Sequence, residues 1–203
     1  MEILSKLFGS ANKVKIMRLF LLNPELILNA KEVASRAKLQ TPAASRELKL
    51  LSLVGLLLLK KKGSAKTWQL DPSFPFISPL RSILKNDLIS RKKRLVQQFS
   101  RCGKIHLIVI AGVFLEDNES RTDLVIVGSH LKRTSIARVV KDLEAEIGKE
   151  LNYAVLETPD FQYRLNACDK FVRDIFDYPH HIILDKIGVM NTPVFLSGLS
   201  TVR

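Results

Sequence analysis

The chain has 203 residues, of which 46% are hydrophobic and 26% are charged, with nine Gly and eight Pro. This globular mixture excludes a collagen-like or low-complexity protein, and the length predicts two small domains or one large one. The longest apolar runs, residues 56–59 and 107–115, are shorter than the roughly 18–20 residues of a membrane span, and no secretory signal opens the chain. We therefore expect a cytoplasmic protein with no membrane partner.

The charge is distributed unevenly along the sequence. Residues 1–103 contain 20 Lys and Arg against six Asp and Glu, a net charge of +14, whereas residues 104–203 contain 12 against 14, a net charge of −2. A basic half joined to a nearly neutral half predicts that the basic half meets a polyanion, most often nucleic acid. A membrane surface is the weaker alternative, because no segment combines a basic face with aromatic anchors.

Three helices are predicted near the start of the chain. Ser10 precedes a helix over residues 11–22, and Asn29 precedes a short helix over residues 30–37. Thr41-Pro42 is expected to cap a third helix, with Pro42 at its first position, and Gly55 to end it. Two short helices joined by a tight turn are typical of a helix-turn-helix.

A β-hairpin is predicted next, with strands at residues 56–60 and 66–70 around a lysine-rich turn at residues 61–65. With this hairpin, residues 10 to 72 resemble a winged helix-turn-helix transcriptional regulator. The residues that carry the resemblance are Glu32-Val33-Ala34, then Ala44-Ser45-Arg46-Glu47-Leu48-Lys49-Leu50-Leu51, then Val54-Gly55-Leu56.

The resemblance implies that the second motif helix enters the major groove of DNA and that the hairpin contacts phosphates or the adjacent minor groove. Arginine can read guanine with two hydrogen bonds, and lysines on a hairpin neutralise phosphates without reading sequence. The alternative is that these side chains are only solvated surface residues. The candidate DNA-binding residues are Thr41, Ser45, Arg46 and Lys49 on the helix, and Lys60, Lys61, Lys62 and Lys66 on the hairpin.

A basic connector follows Ser78-Pro79 and is expected to be one long helix to about residue 100, or two helices broken near Asn86. Its apolar stripe predicts either a dimer interface or packing against the chain's own first domain. The stripe contains Leu80, Ile83, Leu84, Leu88, Leu95 and Phe99, and the outer basic face contains Arg81, Lys85, Arg91, Lys92, Lys93 and Arg94.

From Gly103 the pattern changes to alternating strands and helices, which indicates an α/β arrangement. Strands are predicted at residues 104–111, 123–128 and 151–156, with a short one after Tyr178-Pro179. Thr134 is expected to cap a helix that ends at Gly148, and Thr158-Pro159-Asp160 to open another.

Several stretches here resemble the minimal nucleotidyltransferases of the DNA-polymerase-beta type, to about residue 187. They are Ala111-Gly112, residues 122–128, 146–152 and 158–161, and Arg173-Asp174-Ile175. The family signature implies a Gly-Ser pair after the first strand, two acids spaced i, i+2 on the second and a further acid on the third. Two such carboxylates point to one face and hold divalent metals.

The chain departs from that signature. Val113 replaces the Ser, Asp123 is the single carboxylate on the second strand, and Arg121 or Val125 takes the other acidic position. We therefore expect no metal, no cofactor and no metal-dependent transfer. The second domain is expected to bind a nucleotide or phosphate ligand through Gly112, Arg121 and Asp123, since guanidinium pairs with phosphate without a metal, or to be a scaffold for assembly.

The sequence predicts an α+β protein: an N-terminal winged helix-turn-helix (1–76), a connector helix (77–102), a C-terminal small α/β nucleotidyltransferase-like domain (103–190) and a tail (191–203). The predicted function is a homodimeric transcriptional regulator that binds double-stranded DNA, with a catalytically inactive second domain. The alternatives are an active nucleotidyltransferase with an atypical metal site and a toxin-antitoxin component.

Overall fold

The computed structural model describes residues 3–62, 65–89, 92–115 and 119–189, without the side chains of residues 62, 85–89 and 92–93. These residues form a mixed α+β fold. The chain divides into two compact units: Met1–Ser90 with Val140–Glu150, and Arg91–Val139 with Leu151–Arg203. Within the described ranges, no helix is both long and apolar enough to cross a membrane. The predicted tail and the centre of the predicted hairpin turn, residues 63–64, lie outside these ranges.

The first unit begins with four helices: α1 (Ile3–Leu7), α2 (Ala11–Leu21), α3 (Ala30–Arg36) and α4 (Thr41–Leu53). Ser10 caps α2 by accepting a hydrogen bond from the backbone N–H of Lys13, and Asn29 caps α3 in a reciprocal capping box with Glu32. Gly55, with φ +88°, follows the end of α4. The three predicted helices correspond to α2, α3 and α4 and are confirmed, as are the caps predicted at Ser10 and Asn29.

The predicted cap of α4 is wrong by one residue. Gln40 occupies the N-cap position with extended backbone dihedrals, and Thr41 is the first helical residue. Pro42 is thus the second helical residue, still in the first turn, where a backbone N–H has no acceptor within the helix and its absence costs no hydrogen bond.

The first unit also contains a three-stranded antiparallel sheet. Its strands are β1 (Leu28–Asn29), β2 (Leu57–Lys62) and β3 (Ala65–Leu70), in the order β1-β3-β2. The predicted hairpin is confirmed, but its turn is shorter than expected. Lys61 pairs with Lys66 and Lys62 with Ala65, because extended lysines can continue the ladder of backbone hydrogen bonds.

The core of the first unit lies between the inner faces of these helices and the sheet. It is formed by apolar side chains from α1 to α4 and from all three strands, including Val14, Phe20, Val33, Leu48, Leu57 and Trp68. The spacing of these residues along α2 and α4 is the helical one that the sequence displays.

The connector is two helices, α5 (Ile77–Ile89) and α6 (Lys92–Phe99), and Asn86 lies inside α5 rather than at a break. Leu84 is fully buried in the core of the first unit, and Leu80 packs against that core. Of the two predicted roles of the apolar stripe, this part of it packs against its own domain. Arg81 does not join an exposed basic face, because its Nε donates a hydrogen bond to the carbonyl oxygen of Leu21 at 2.9 Å.

The second unit contains four strands and three long helices in the described part of the chain after residue 103. The bounds are β4 (Lys104–Ala111), β5 (Leu124–Ser129), α7 (Arg133–Ile147), β6 (Tyr153–Glu157), α8 (Thr158–Asn166), α9 (Lys170–Asp177) and β7 (His180–Asp185). The predicted strands and helices are confirmed, except that α7 begins at Arg133 and so Thr134 is not its cap.

The four strands form one sheet in the order β6-β5-β4-β7. Strands β5 and β6 pair in parallel, and the other two pairs of described strands are antiparallel. Helices α8 and α9 pack on one face through Phe161, Leu165, Val172 and Ile175.

The last turns of α7 belong to the first unit. There Arg18 Nη1 donates to the carbonyl oxygen of Glu146 at 3.1 Å, and Asn23 Nδ2 donates to that of Gly148 at 2.6 Å. A β-carbon at Gly148 would lie 2.6 Å from the backbone nitrogen of Leu19, so only glycine permits this approach. The predicted domain boundaries, drawn as uninterrupted segments, do not include this association.

Candidate nucleic-acid interface

Helix α4 separates a buried face from a solvent face. Ala44, Leu48 and Leu51 are buried, at the spacing that fills one side of a helix. The four predicted DNA-binding residues lie on the other side: Thr41, Arg46 and Lys49 are exposed and Ser45 is half-buried. The structure therefore brings together four side chains that can donate hydrogen bonds, within the first two and a half turns of one helix.

Gln40 is a further candidate that the sequence analysis missed. It is exposed, it stands at the N-cap of α4, and its side chain makes no capping hydrogen bond. An amide there can bond to an adenine edge or to a phosphate. The sequence does not point to Gln40, because threonine is a better N-cap residue type than glutamine and Thr41 stands next to it.

The start of α4 is fixed by neighbouring elements. The backbone N–H of Leu39, in the turn after α3, donates to the carbonyl oxygen of Ala34 at 2.8 Å. On the inner side, Ser10 Oγ donates to Glu47 Oε1 at 2.5 Å and so joins the beginning of α2 to the middle of α4. A helix held in this way presents its exposed side chains in one defined orientation.

The hairpin carries lysines on both of its faces. Lys61 and Lys66 are directly opposite in the antiparallel ladder and therefore point to the same face, while Lys60 points to the other. All three are exposed; the side chain of Lys62, the fourth predicted contact, is outside the described part of the chain. Like charges directly opposite destabilise a hairpin, and a bound polyanion removes that cost.

The hairpin lies next to α4, because α4 packs against β2. The unit that contains both is basic: residues 1–90 and 140–150 together carry 17 Lys and Arg against ten Asp and Glu. A concentration of positive charge beside a row of hydrogen-bond donors suits a ligand with a regular array of phosphates.

The second predicted site lies in the second unit, where Gly112 and Asp123 are in contact. The Asp123 side chain is only 5% exposed. Its Oδ1 accepts a hydrogen bond from the backbone N–H of Val113 at 2.7 Å, and its Oδ2 accepts one from that of Asn152 at 2.8 Å. Both carboxylate oxygens therefore hold loops of the protein itself. Arg121 is exposed and so is not buried with Asp123.

Among the described residues, Asp123 is not part of a group of metal ligands. Val125, two residues further along the strand, is buried in the apolar cluster with Phe161. Within the part of the chain that the structure describes, no three His, Cys, Asp or Glu side chains come together to hold a metal ion. His106, near the opposite end of β4, shares a hydrogen bond with the hydroxyl of Thr158, with 2.8 Å between Nδ1 and Oγ1.

Comparison with known proteins gives no match: neither a protein-family model, nor a curated protein, nor a solved structure corresponds to this chain.

Proposed function

We propose that the protein is a DNA-binding transcriptional regulator of the cytoplasm, in which the first unit is a winged helix-turn-helix domain. In this proposal α3 and α4 are the two motif helices, α4 is the recognition helix, and the β2–β3 hairpin is the wing. The exposed row of donors on α4, next to a hairpin with lysines on both faces, is the observation that carries the proposal. Regulators of this kind place the recognition helix in the major groove and use basic side chains on the backbone.

The proposal assigns contacts with base edges and contacts with phosphates to different side chains. Arg46 and Ser45, with Gln40 and Thr41 at the helix start, would read base edges, because a helix N-terminus enters the groove first. Lys60, Lys61 and Lys66 would bind phosphates, because an ammonium on a flexible stem is a point charge without directional readout.

A salt titration tests DNA binding directly. The full chain is mixed with a fluorescent 30-base-pair duplex, and anisotropy is measured between 50 and 200 mM salt. If six to ten phosphates are neutralised, the affinity falls roughly a thousandfold or more over this range. Binding that is absent at 50 mM salt, or that does not depend on salt, would contradict the proposal.

Paired lysine variants separate the hairpin from general electrostatics. The double change Lys61→Ala and Lys66→Ala should weaken all duplexes alike and reduce the slope of log affinity against log salt by about 2. The matched control is Lys170→Ala and Lys186→Ala, which removes the same charge from exposed positions of the second unit. Equal effects of the two pairs would argue against a wing contact.

For the second unit we propose a nucleotidyltransferase-like domain without catalytic activity, which senses a phosphate ligand or supports assembly. The hydrogen bonds that Asp123 accepts from two loops give this carboxylate a structural role, and the buried apolar Val125 stands where the resemblance implies a paired carboxylate; both observations support this view. Incubation with magnesium or manganese and radiolabelled nucleoside triphosphates should leave the protein and added nucleic acid unlabelled. Labelling that disappears in Asp123→Asn but survives in Asp160→Asn would restore the enzyme hypothesis.

A further inference from the structure

The first unit has a large apolar groove on its surface, with a volume of about 560 Å³. Met17, Leu51 and Leu56 form part of its floor and are buried. Its rim is formed by apolar side chains that solvent reaches: Leu7 is 70% exposed, Leu50 47%, Leu53 83%, Val54 66% and Phe76 59%. We call these five rim residues the apolar face.

The apolar face begins where the proposed DNA-reading surface ends. Arg46, Lys49, Leu50 and Leu53 follow one another at helical spacing along the exposed side of α4. The N-terminal part of that side carries polar side chains, and the C-terminal part carries leucines. A single exposed leucine is ordinary, but a contiguous group around a groove marks an interaction surface.

The face contains a groove and exposed apolar side chains around it, and a twofold interface brings the same patch of each copy together. Its five side chains together expose on the order of 700 Å², close to the ~800 Å² that each partner contributes to a standard interface. Among the described residues that line the groove, Lys13 alone is charged. Burial of this surface against a second copy therefore removes apolar area from water and desolvates few charged groups.

We propose that the apolar face is the contact between two copies of this chain. The predicted dimer stripe is a weaker candidate, because Leu84 within the stripe is fully buried in the core of its own unit. The inference deepens the proposed function and rests on it for one consequence: a dimer would offer two α4 helices to half-sites about 34 Å apart. Self-association itself can be measured without DNA.

Charge gives this contact a signature opposite to that of DNA binding. Residues 1–90 have a net positive charge, so the charged surfaces around the apolar faces of two copies repel each other while the apolar faces attract. Salt screens the repulsion and leaves hydrophobic burial intact. Raising the salt from 50 to 500 mM should therefore tighten the dimer, whereas it weakens a complex with DNA.

Sedimentation equilibrium of the full chain between 1 and 50 µM tests the proposal. We expect a dimer for the wild type, a monomer for Leu53→Arg, and a dimer for the control Ile27→Arg, whose side chain is 54% exposed outside the groove. Circular dichroism checks that each variant is folded. Phe76→Arg, on a different segment of the rim, should also give a monomer and replaces Leu53→Arg if that variant does not fold.

The outcomes separate this inference from the proposed function. A wild type that is monomeric at 50 µM overturns the inference, and this includes the case in which another protein covers the apolar face. The DNA affinity of such a monomer still tests the proposed function separately. A dimer that persists in both Leu53→Arg and Phe76→Arg also overturns it. A dimer that dissociates in those variants but never binds a duplex supports the interface and contradicts only the DNA-binding proposal.

Discussion

Asp123 Oδ1 lies directly against Gly112: a β-carbon at Gly112 would come within 2.2 Å of that oxygen. The contact lets the carboxylate reach the backbone N–H of Val113 in the turn after β4. Gly112 also has φ +51°, which L-residues with side chains rarely adopt. The two residues therefore form one structural contact where the two central strands, β4 and β5, adjoin their connecting segment.

Asp123→Ala should destabilise the second unit strongly. The change leaves the backbone N–H groups of Val113 and Asn152 without their acceptor, and hydrogen bonds to a charged group contribute about 1.5–3 kcal/mol each. We expect a loss of about 3 kcal/mol or more in the free energy of unfolding, measured by urea titration. Asp160→Ala, which removes an exposed carboxylate paired with Arg164, should cost less than about 1 kcal/mol. Equal losses would show that Asp123 does not hold the loops.

Gly148→Ala should weaken the attachment of the end of α7 to the first unit. Gly148 has φ +82° and approaches the backbone of Leu19, whereas Gly9 has φ +76° and open space around it. Gly9→Ala therefore measures only the cost of a left-handed residue, about 1–2 kcal/mol. Gly148→Ala should exceed it by about 2 kcal/mol in urea unfolding, because backbone atoms cannot move aside as a side chain does. Similar values for the two variants would contradict the close packing.

Arg46→Ala should relax the sequence preference of DNA binding. If Arg46 contacts a guanine, its loss removes about 1–3 kcal/mol of discrimination at one base position and leaves binding to random duplexes less affected. Selection from a randomised duplex library, for the wild type and the variant, measures the preference at each position. Arg173→Ala removes an exposed arginine from the second unit and should leave the preference unchanged. An identical preference in Arg46→Ala would exclude Arg46 from base readout.

The two cysteines should react at very different rates. Cys102 is buried and Cys168 is exposed. Burial raises the pKa of the Cys102 thiol, against a smaller lowering by the Lys132 ammonium, so thiolate is scarce there at pH 8. A thiol reagent should modify one cysteine in the native protein and two in urea, and Cys168→Ser should abolish the fast reaction. Rapid native labelling of Cys102 in that variant would contradict its burial.

The same pKa shift gives a pH dependence of stability. Because the folded state holds the Cys102 proton more tightly than the unfolded state, the contribution is complete below the unfolded pKa of about 8.5. It is lost as the pH rises toward the folded pKa. Urea unfolding between pH 8 and 10 should therefore show a loss that Cys102→Ala removes; a loss of the same size in Cys102→Ala would assign it to other groups.

Local signals in the sequence determined most of the secondary structure. Ser10, Asn29 and Gly55 act on backbone groups within four residues of themselves, so their effect is visible without tertiary structure. The alternation of strands and helices after Gly103 likewise follows from local periodicity. The apolar residues of α4 recur at helical spacing, so its buried and exposed sides could be assigned from the sequence. Arg46 and Lys49 are at the surface, as that spacing predicts.

Tertiary structure decided the features that join distant segments. Nothing in the sequence around Arg18 distinguishes it from a surface arginine, yet it is 1% exposed and donates a hydrogen bond to a carbonyl oxygen 128 residues away. Asp123 reads as a remnant of a metal site, yet its environment is set by loops that approach from Val113 and Asn152. Leu53 and Leu84 have the same residue type and similar helical contexts, but one lies at the surface and the other in the core. Burial depends on which segments meet, and that depends on long-range packing rather than on the composition of any single window of sequence.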